Sequence, residues 1–168
     1  MKIKEYCSNK KIKFFLSNNF NIALKLRLDG VYLPSFNKDI RHLNYNINSN
    51  FLIIGSAHNI KEIRIKEKQN VKLIFVSPIF KVKKKNNFLN IIKFNNLCKV
   101  SKVSIIALGG INSKNVNQLK MTRAFGFSGI SHIKNIINWL TLMNANINKE
   151  IEIVINRFKI GAVSYTHL

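Results

Sequence analysis

Short apolar runs rich in β-branched residues recur along the chain, and they constrain the fold more than any other feature. Each run has the length of one buried strand and is bordered by Gly, Asn, Ser or Pro. Runs that are apolar throughout are typical of parallel strands that are covered on both faces. Six such runs are visible, at residues 13–16, 30–33, 51–54, 71–76, 103–108 and 126–130.

The stretches between these runs carry helix signals. Asn59 precedes a charged segment in the manner of an N-cap residue. Three more helices are expected: one around Ile91, Ile92 and Leu97, one capped by Asn112 or Ser113 that carries Val116 and Leu119, and an amphipathic one with Ile133, Ile136, Ile137 and Leu140. The strand–helix alternation predicts an α/β fold with right-handed crossovers, although an open doubly wound sheet also fits six strands. Residues 144–159 fit a strand or a helix equally well.

The charge balance raises the question of a nucleic-acid partner. The chain has 28 Lys and Arg against 7 Asp and Glu, a formal net charge of +21. Only five of the basic residues are Arg, the side chain that recognition surfaces use for bidentate contacts. Lys, Asn and Ile are all abundant and all have AT-rich codons, so base composition explains the charge without a nucleic-acid partner. Without a visible membrane span, signal peptide or Cys-x-x-Cys pair, a cytoplasmic protein with reduced thiols is expected.

Glycines mark the ends of the last two predicted strands. Gly109 and Gly110 follow the fifth run, and Gly129-Ile130-Ser131 closes the sixth. Glycine lets backbone N–H groups approach an anion closely, and the N-terminus of a following helix adds a favourable dipole. Two such loops late in the chain are typical of the phosphate site of (β/α)8 barrels. A tight strand–helix turn explains Gly109-Gly110 equally well.

Two other strand ends carry groups that can do chemistry. His58 follows the third run, where an imidazole can act as an acid or a base near neutral pH; the plainer interpretation is a polar surface residue. Ser77-Pro78-Ile79-Phe80 follows the fourth run and leads into a basic loop at 81–85. A lysine there could neutralise a diphosphate, while a solvated charge run explains most of these lysines.

The order of these segments resembles the thiamine phosphate synthase family, with the thiazole tautomerases as its close relatives. The resemblance extends from about residue 14 to residue 133 and is carried by Asp29-Gly30-Val31-Tyr32-Leu33, Ile53-Ile54-Gly55-Ser56-Ala57-His58, Ser77-Pro78-Ile79-Phe80, and Ala107-Leu108-Gly109-Gly110-Ile111 with residues 126–131. It implies an incomplete (β/α)8 TIM barrel. The first predicted strand aligns with the third strand of the family, so the first two βα units have no counterpart.

The resemblance also implies a reaction in thiamine biosynthesis. Transferases of this family couple a pyrimidine methyl diphosphate to a thiazole phosphate, with release of pyrophosphate. The pyrimidine diphosphate ionises, and Mg²⁺ held by two Asp side chains binds the leaving group. The expected partners are therefore these two phosphorylated small molecules, and the cofactor that the resemblance implies is Mg²⁺.

Residue by residue, the resemblance assigns a candidate site. His58 aligns with a histidine that resembles the catalytic one of the tautomerase branch, and Lys85 aligns with a lysine that contacts the pyrimidine substrate. These two are the candidate catalytic residues. The candidate substrate-binding residues are Ser17, Ser56, Lys85, Gly109, Gly110, Ile130 and Ser131.

The two metal positions depart from the family pattern. Asn18 and Asn37 stand where the family has Asp ligands, and only Asp39 nearby could replace one of them. Two neutral amides make a poor Mg²⁺ site, because a hard cation with few protein ligands needs carboxylates. A metal-dependent synthase mechanism is therefore in question for this chain.

The chain divides into three expected segments, and three functions stay open. Residues 1–140 are the barrel domain, residues 141–161 an unassigned tail, and residues 162–168 resemble the translated end of a sequencing library. The first function is that of the synthase. The second is a metal-independent thiazole tautomerase, which the lost carboxylates and the retained His58 favour. The third is a non-catalytic barrel that binds a phosphorylated ligand.

Overall fold

Six parallel strands form the centre of the fold. The computed structural model describes residues 2–82 and 87–129 of the 168-residue chain. The strands are β1 (Phe15–Ser17), β2 (Gly30–Leu33), β3 (Leu52–Ala57), β4 (Leu73–Val76), β5 (Ser104–Leu108) and β6 (Gly126–Ser128). Each coincides with one of the six apolar runs to within three residues at either end, so the predicted strands are confirmed.

Within the described residues the chain forms four α-helices and two 3-10 helices, of which the first precedes β1 and the others lie between strands. They are α1 (Lys2–Asn9), α2 (Phe20–Lys25), the 3-10 helix Arg41–Asn44, α3 (Ile60–Lys68), α4 (Asn90–Val100) and the 3-10 helix Val116–Met121. The Asn59 side chain accepts a hydrogen bond from the backbone N–H of Glu62 at 3.0 Å, which confirms the predicted N-cap of α3. α4 is confirmed as well. α1, α2 and the first 3-10 helix escaped prediction because they are too short to show an apolar stripe.

The segment after Asn112 was expected to form a helix that carries Val116 and Leu119, and the structure has a 3-10 helix there, which begins only at Val116. The carbonyl of Asn112 accepts hydrogen bonds from the backbone N–H groups of Asn115 (3.2 Å) and Val116 (2.9 Å), which makes a turn before the 3-10 helix Val116–Met121 begins. Asn112 also caps this turn, since its side-chain oxygen accepts from the N–H of Lys114 at 2.9 Å. Asn and Ser stabilise turns of this kind through such local bonds.

The strand order follows the sequence without a reversal. The sheet runs β1-β2-β3-β4-β5-β6, and each neighbouring pair is parallel. A doubly wound sheet reverses its order at a switch point, so the doubly wound alternative is wrong. Among the described residues β1 and β6 are the two edges of the sheet, and no pairing between them closes it. The parallel α/β sheet is thus confirmed, whereas the closed TIM barrel is not.

Helices cover only one face of this sheet in the described part of the chain. The larger apolar cluster, on what we call the outer face, joins strand residues to Ile63 of α3, Phe94 of α4 and Val116. The smaller cluster, on the inner face, consists of Phe15, Ile54, Phe75 and Ile106 with four partly buried neighbours from the same strands. Because both faces are apolar, the strands read as continuous apolar runs in the sequence.

Several expectations fall outside the described residues. They are the helix at 133–140, the ambiguous segment 144–159 and the divisions at 141–161 and 162–168. None of the helices in the described ranges has the length and apolar character that crossing a membrane requires.

Candidate functional site

The carboxyl ends of all six strands lie at one edge of the sheet, and there the inner face changes from apolar to polar. Ser17 and Ser56 follow Phe15 and Ile54 by two residues, so they lie on the same inner face. The Ser17 hydroxyl is buried and is the single buried side-chain polar atom within the described ranges that lacks a hydrogen-bond partner. A buried hydroxyl in this condition is suited to a hydrogen bond with a ligand.

The two predicted metal positions meet where the loops after β1 and β2 come together. We call the group Asn18, Asn37 and Asp39 the asparagine corner. The Asn37 amide nitrogen donates a short hydrogen bond to Oδ1 of Asn18. Oδ1 of Asn37 accepts from the backbone N–H of Asp39 (2.8 Å) and from Nε2 of Gln69 (3.0 Å). The oxygens that would face a metal are therefore bonded to groups of the protein.

Two buried side chains support this corner from the outer face, one within α3 and one at the C-cap position that follows it. Lys66 and Gln69 have no exposed surface. The Lys66 ammonium donates to the carbonyls of Pro34 (2.7 Å) and Asn37 (2.8 Å) and to Oε1 of Gln69 (2.9 Å). Its aliphatic stem passes over Gly55, where an added Cβ would come within 2.9 Å of Lys66 Cδ. Burial lowers the pKa of Lys66 to about 8.

Asp39 does not supply the missing metal carboxylate. The Arg41 guanidinium donates to Oδ2 of Asp39 at 2.6 and 2.8 Å and to Oδ1 at 3.0 Å, and these bonds lower the pKa of Asp39 to about 2. No group of three or more His, Cys, Asp or Glu that could hold a metal ion occurs in residues 2–82 and 87–129. The corner offers amides, one carboxylate already bound to Arg41, and a buried ammonium. This donor set does not fit Mg²⁺.

His42 belongs to the same region but serves packing. It is 3% exposed, and its ring stacks on Phe20 with 4.3 Å between the ring centroids. Its Nε2 lies 2.8 Å from the carbonyl of Gln69, so this nitrogen donates. A cavity of about 260 Å³ remains beside it, with Asn18, Asn37, Arg41 and Tyr45 in its wall. Sequence reasoning missed His42, Lys66 and Gln69 altogether.

The predicted catalytic histidine lies at the ends of β3 and β4. Ala57 and Val76 are register partners, which brings the residues that follow them, His58 and Ser77, side by side. Nδ1 of His58 is 2.6 Å from the Ser77 carbonyl. A carbonyl can only accept, so Nδ1 carries the proton, and Nε2 is the basic nitrogen of the neutral ring. The His58 backbone N–H is fixed by Glu62 Oε2 at 2.7 Å.

A pocket of about 510 Å³ opens in front of this histidine, and we call it the histidine pocket. Its lining residues come from two places. The ends of β3 and β4 contribute His58, Ser77 and Pro78, and the start of α4 with the two residues before it contributes Phe88, Leu89 and Lys93. The pocket thus combines an exposed imidazole with a lysine and an apolar wall. Lys93 had no signal in the sequence beyond its place in a helix, because only the fold brings the first turn of α4 to the pocket that His58 lines.

The glycines after β5 are required by packing. Gly109 and Gly110 have φ angles of +90° and +74°. A Cβ on Gly109 would come within 2.8 Å of Pro78, and one on Gly110 within 2.5 Å of the Phe80 carbonyl oxygen. The two loops are also joined by a bond from the Phe80 N–H to the Gly109 carbonyl at 3.1 Å. The turn explanation therefore suffices for both glycines, and their role in phosphate binding stays a prediction.

Three predicted site residues lie outside the described residues. Lys85 falls between the described residues 82 and 87, and Ile130 and Ser131 follow the last described residue. Of the others, the fold brings Asn18 to Asn37 and places Ser17 and Ser56 on one face. His58 lies apart from that pair of asparagines, in its own pocket.

The sheet is wound in one direction, and polar side chains lie at the carboxyl edge of its strands. This arrangement is typical of α/β proteins that bind small molecules at that edge. Residues 1–133 match the family described as thiamine monophosphate synthase, and the chain belongs to this family. The resemblance seen in the strand-end motifs is thereby confirmed.

Individual relatives agree with this assignment. The thiamine-phosphate synthase of Fusobacterium nucleatum is 26% identical over 140 residues, which are 82% of this chain and 66% of that protein. The putative thiamine-phosphate synthase 2 of Aquifex aeolicus is 32% identical over 126 residues, 72% of this chain and 66% of that protein. The chain thus spans just under two thirds of the length of these two curated relatives.

A solved structure supports the fold. The thiamine phosphate pyrophosphorylase from Pyrococcus furiosus is similar with a TM-score of 0.60 at 20% sequence identity, over 76% of this chain and 61% of that chain. At this identity the similarity concerns the architecture alone.

Proposed function

We propose that the protein acts in thiamine biosynthesis as a transferase that couples a pyrimidine methyl diphosphate to a thiazole phosphate and releases pyrophosphate. The family match over residues 1–133 carries this proposal. We also propose that the six strands are consecutive staves of a (β/α)8 barrel. Their sequential order, the helices on the outer face and the apolar inner face support it.

In this reaction the bond between the pyrimidine methylene carbon and the diphosphate oxygen breaks, and its electron pair leaves with pyrophosphate. The thiazole nitrogen then forms the new bond to the methylene carbon. Negative charge grows on the leaving group, so donors and cations aimed at it lower the barrier. Lys93 in the histidine pocket and Lys85 are the cations we assign to this task, and the partnerless hydroxyl of Ser17 is the donor. No step is assigned to a metal ion, because the asparagine corner does not fit one.

A second candidate is a thiazole tautomerase, and the geometry of His58 favours it. A tautomerase moves a proton from one ring position to another, which needs a base and then an acid but no metal. His58 presents a basic Nε2 to an open pocket, because Nδ1 donates to Ser77. One imidazole can take the proton and return it.

One set of assays separates these functions. The full chain is incubated with both thiamine precursors, with Mg²⁺ and with a chelator, and thiamine phosphate and pyrophosphate are quantified. The transferase proposal predicts equal amounts of the two products. For the second candidate, the thiazole carboxylate phosphate is incubated in D₂O, and deuterium uptake into the ring is followed by NMR. Binding of the thiazole phosphate with neither activity would contradict both and leave the non-catalytic barrel.

A further inference from the structure

The asparagine corner contains a buried cation of its own. Lys66 has no exposed surface, and its three ammonium hydrogens meet three oxygen acceptors. We propose that Lys66 is a positioning residue that takes the structural place of a divalent metal ion: it fixes the 34–39 turn and excludes Mg²⁺ from the corner. The proposal holds for any ligand and does not depend on the reaction proposed above.

The bonds of Lys66 resemble those of an ion held by a loop. Its ammonium binds the carbonyls of Pro34 and Asn37, and these two residues are also joined by a bond from the Asn37 N–H to the Pro34 carbonyl at 3.0 Å. The cation therefore lies against both ends of one tight turn. A metal ion orders a loop in the same way, by drawing several of its oxygens toward one charge.

Gln69 transmits this order to the amide pair. Its Oε1 accepts from Lys66, and its Nε2 donates to the carbonyl of Asp39 (2.8 Å) and to Oδ1 of Asn37 (3.0 Å). Asn37 in turn donates to Asn18. An unbroken series of hydrogen bonds thus runs from the ammonium to the two positions where the family has its metal ligands.

The surroundings of Lys66 leave its charge unneutralised by contact. Its three partners are two carbonyls and an amide, and Glu62 of the same helix acts on it through its charge, without a hydrogen bond or ion pair. The carboxylate of Asp39 faces Arg41 instead. A divalent ion at the corner would meet this positive charge without a carboxylate between them, and the two like charges repel.

The first test uses metal ions alone, with Mn²⁺ as a paramagnetic probe for the Mg²⁺ site. The full wild-type chain is titrated with Mn²⁺ and free Mn²⁺ is measured by EPR. We expect no saturable binding up to ~5 mM, since the single carboxylate of the corner, that of Asp39, is already bound to Arg41. Saturable binding that Asn37→Ala abolishes would overturn the proposal.

The second test restores the carboxylates with and without the lysine. The pair Asn18→Asp and Asn37→Asp is made alone and together with Lys66→Met, which keeps an unbranched apolar stem and removes the ammonium. We expect Mn²⁺ to bind at least roughly tenfold more tightly when Lys66 is absent, because its repulsion is gone. Equal affinities in the two backgrounds would contradict the role of the ammonium.

The third test reads the order of the turn. Lys66→Met is expected to speed hydrogen exchange at the amides of Asn37 and Asp39 by on the order of tenfold, while Lys68→Met, an exposed change on the same helix, leaves them unchanged. Unchanged exchange in Lys66→Met would overturn the positioning role. If Lys66→Met fails to fold, Gln69→Met and the wild-type Mn²⁺ titration decide in the same way.

Discussion

The asparagine corner and the histidine pocket lie at the same edge of one sheet, and they are built in opposite ways. In the corner, Asn18, Asn37 and Gln69 are bonded to one another and to a buried lysine. In the pocket, His58 uses Nδ1 on a carbonyl, while its Nε2 has no partner among the described residues and opens toward a cavity. The amide oxygens of the corner have hydrogen-bond partners within the protein, whereas the Nε2 of His58 in the pocket is available to a ligand.

This difference teaches where chemistry can take place. Polar groups whose bonding capacity is met inside the protein stabilise a shape, whereas an exposed group with spare capacity can bind or exchange protons. The resemblance to the family implies a metal at the corner, yet in this chain the amide oxygens of the corner are bonded to groups of the protein. The basic group of the proposed proton transfer is therefore expected from the pocket side.

Replacing His58 by Asn should have the largest effect, and only on activity. The Asn amide nitrogen can still donate to the Ser77 carbonyl, but it cannot act as a base. We expect proton transfer to slow by about 10²–10⁴-fold, with the free energy of unfolding unchanged within about 0.5 kcal/mol because the side chain is exposed. Deuterium exchange and urea denaturation measure the two quantities. A fully active variant would contradict the proposed role of His58 as the base in the histidine pocket.

Lys66→Met should break the corner. The change removes the hydrogen bonds to the carbonyls of Pro34 and Asn37 and leaves Oε1 of Gln69 without a donor, and we expect a loss of about 3 kcal/mol in the free energy of unfolding. Urea denaturation checks the value. Lys68→Met is the matched control, and a loss as large in this exposed variant would show that the effect comes from the helix and not from the corner.

Asn59→Ala tests the element that joins the two regions, because α3 begins beside His58 and ends at Gln69. The side chain of Asn59 caps α3 through the N–H of Glu62. Its removal is expected to cost about 1 kcal/mol, and Asn59→Ser should recover most of that. Thermal and urea denaturation of the three proteins provide the measurement, and equal stabilities of the Ala and Ser variants would count against a capping role.

The last prediction concerns the pH dependence of stability. The pKa of Lys66 is about 8 in the folded protein and near its usual 10.5 when unfolded, so between these values the unfolded chain binds more protons. The free energy of unfolding contributed by this group should therefore rise from pH 8 to about 10.5 and stay level below pH 8. Subtracting the profile of Lys66→Met from that of the wild type isolates it. A flat difference would mean that the ammonium keeps its ordinary pKa.

Much of the scaffold could be predicted from the sequence because buried parallel strands leave continuous apolar runs. The N-cap at Asn59 and the turn glycines at 109 and 110 were visible for similar reasons, since each is fixed by local backbone geometry. The closure of a barrel was not accessible in this way. It depends on pairing between the first and last strands, about which local patterns carry no information.

The organisation of the corner could not be predicted, although its outline was present. Ile63, Lys66 and Gln69 recur at intervals of three and so share the buried stripe of α3. In a segment rich in Lys and Glu, however, the sequence pattern predicts an exposed lysine. The acceptors that allow its burial come from the turn packed against α3, which is distant in the sequence. The departure of the metal positions from the family was readable at Asn18 and Asn37, but what replaced the metal was not.

The space over Gly55 couples two positions that are distant in the sequence. A side chain at residue 55 would come within 2.9 Å of Cδ of Lys66 and within 3.1 Å of the Leu33 carbonyl oxygen. With the lysine in place, any substitution of Gly55 therefore requires the buried stem of Lys66 to move. The two positions are thus epistatic, because the side chain that the strand tolerates at residue 55 depends on the residue that the helix carries at position 66.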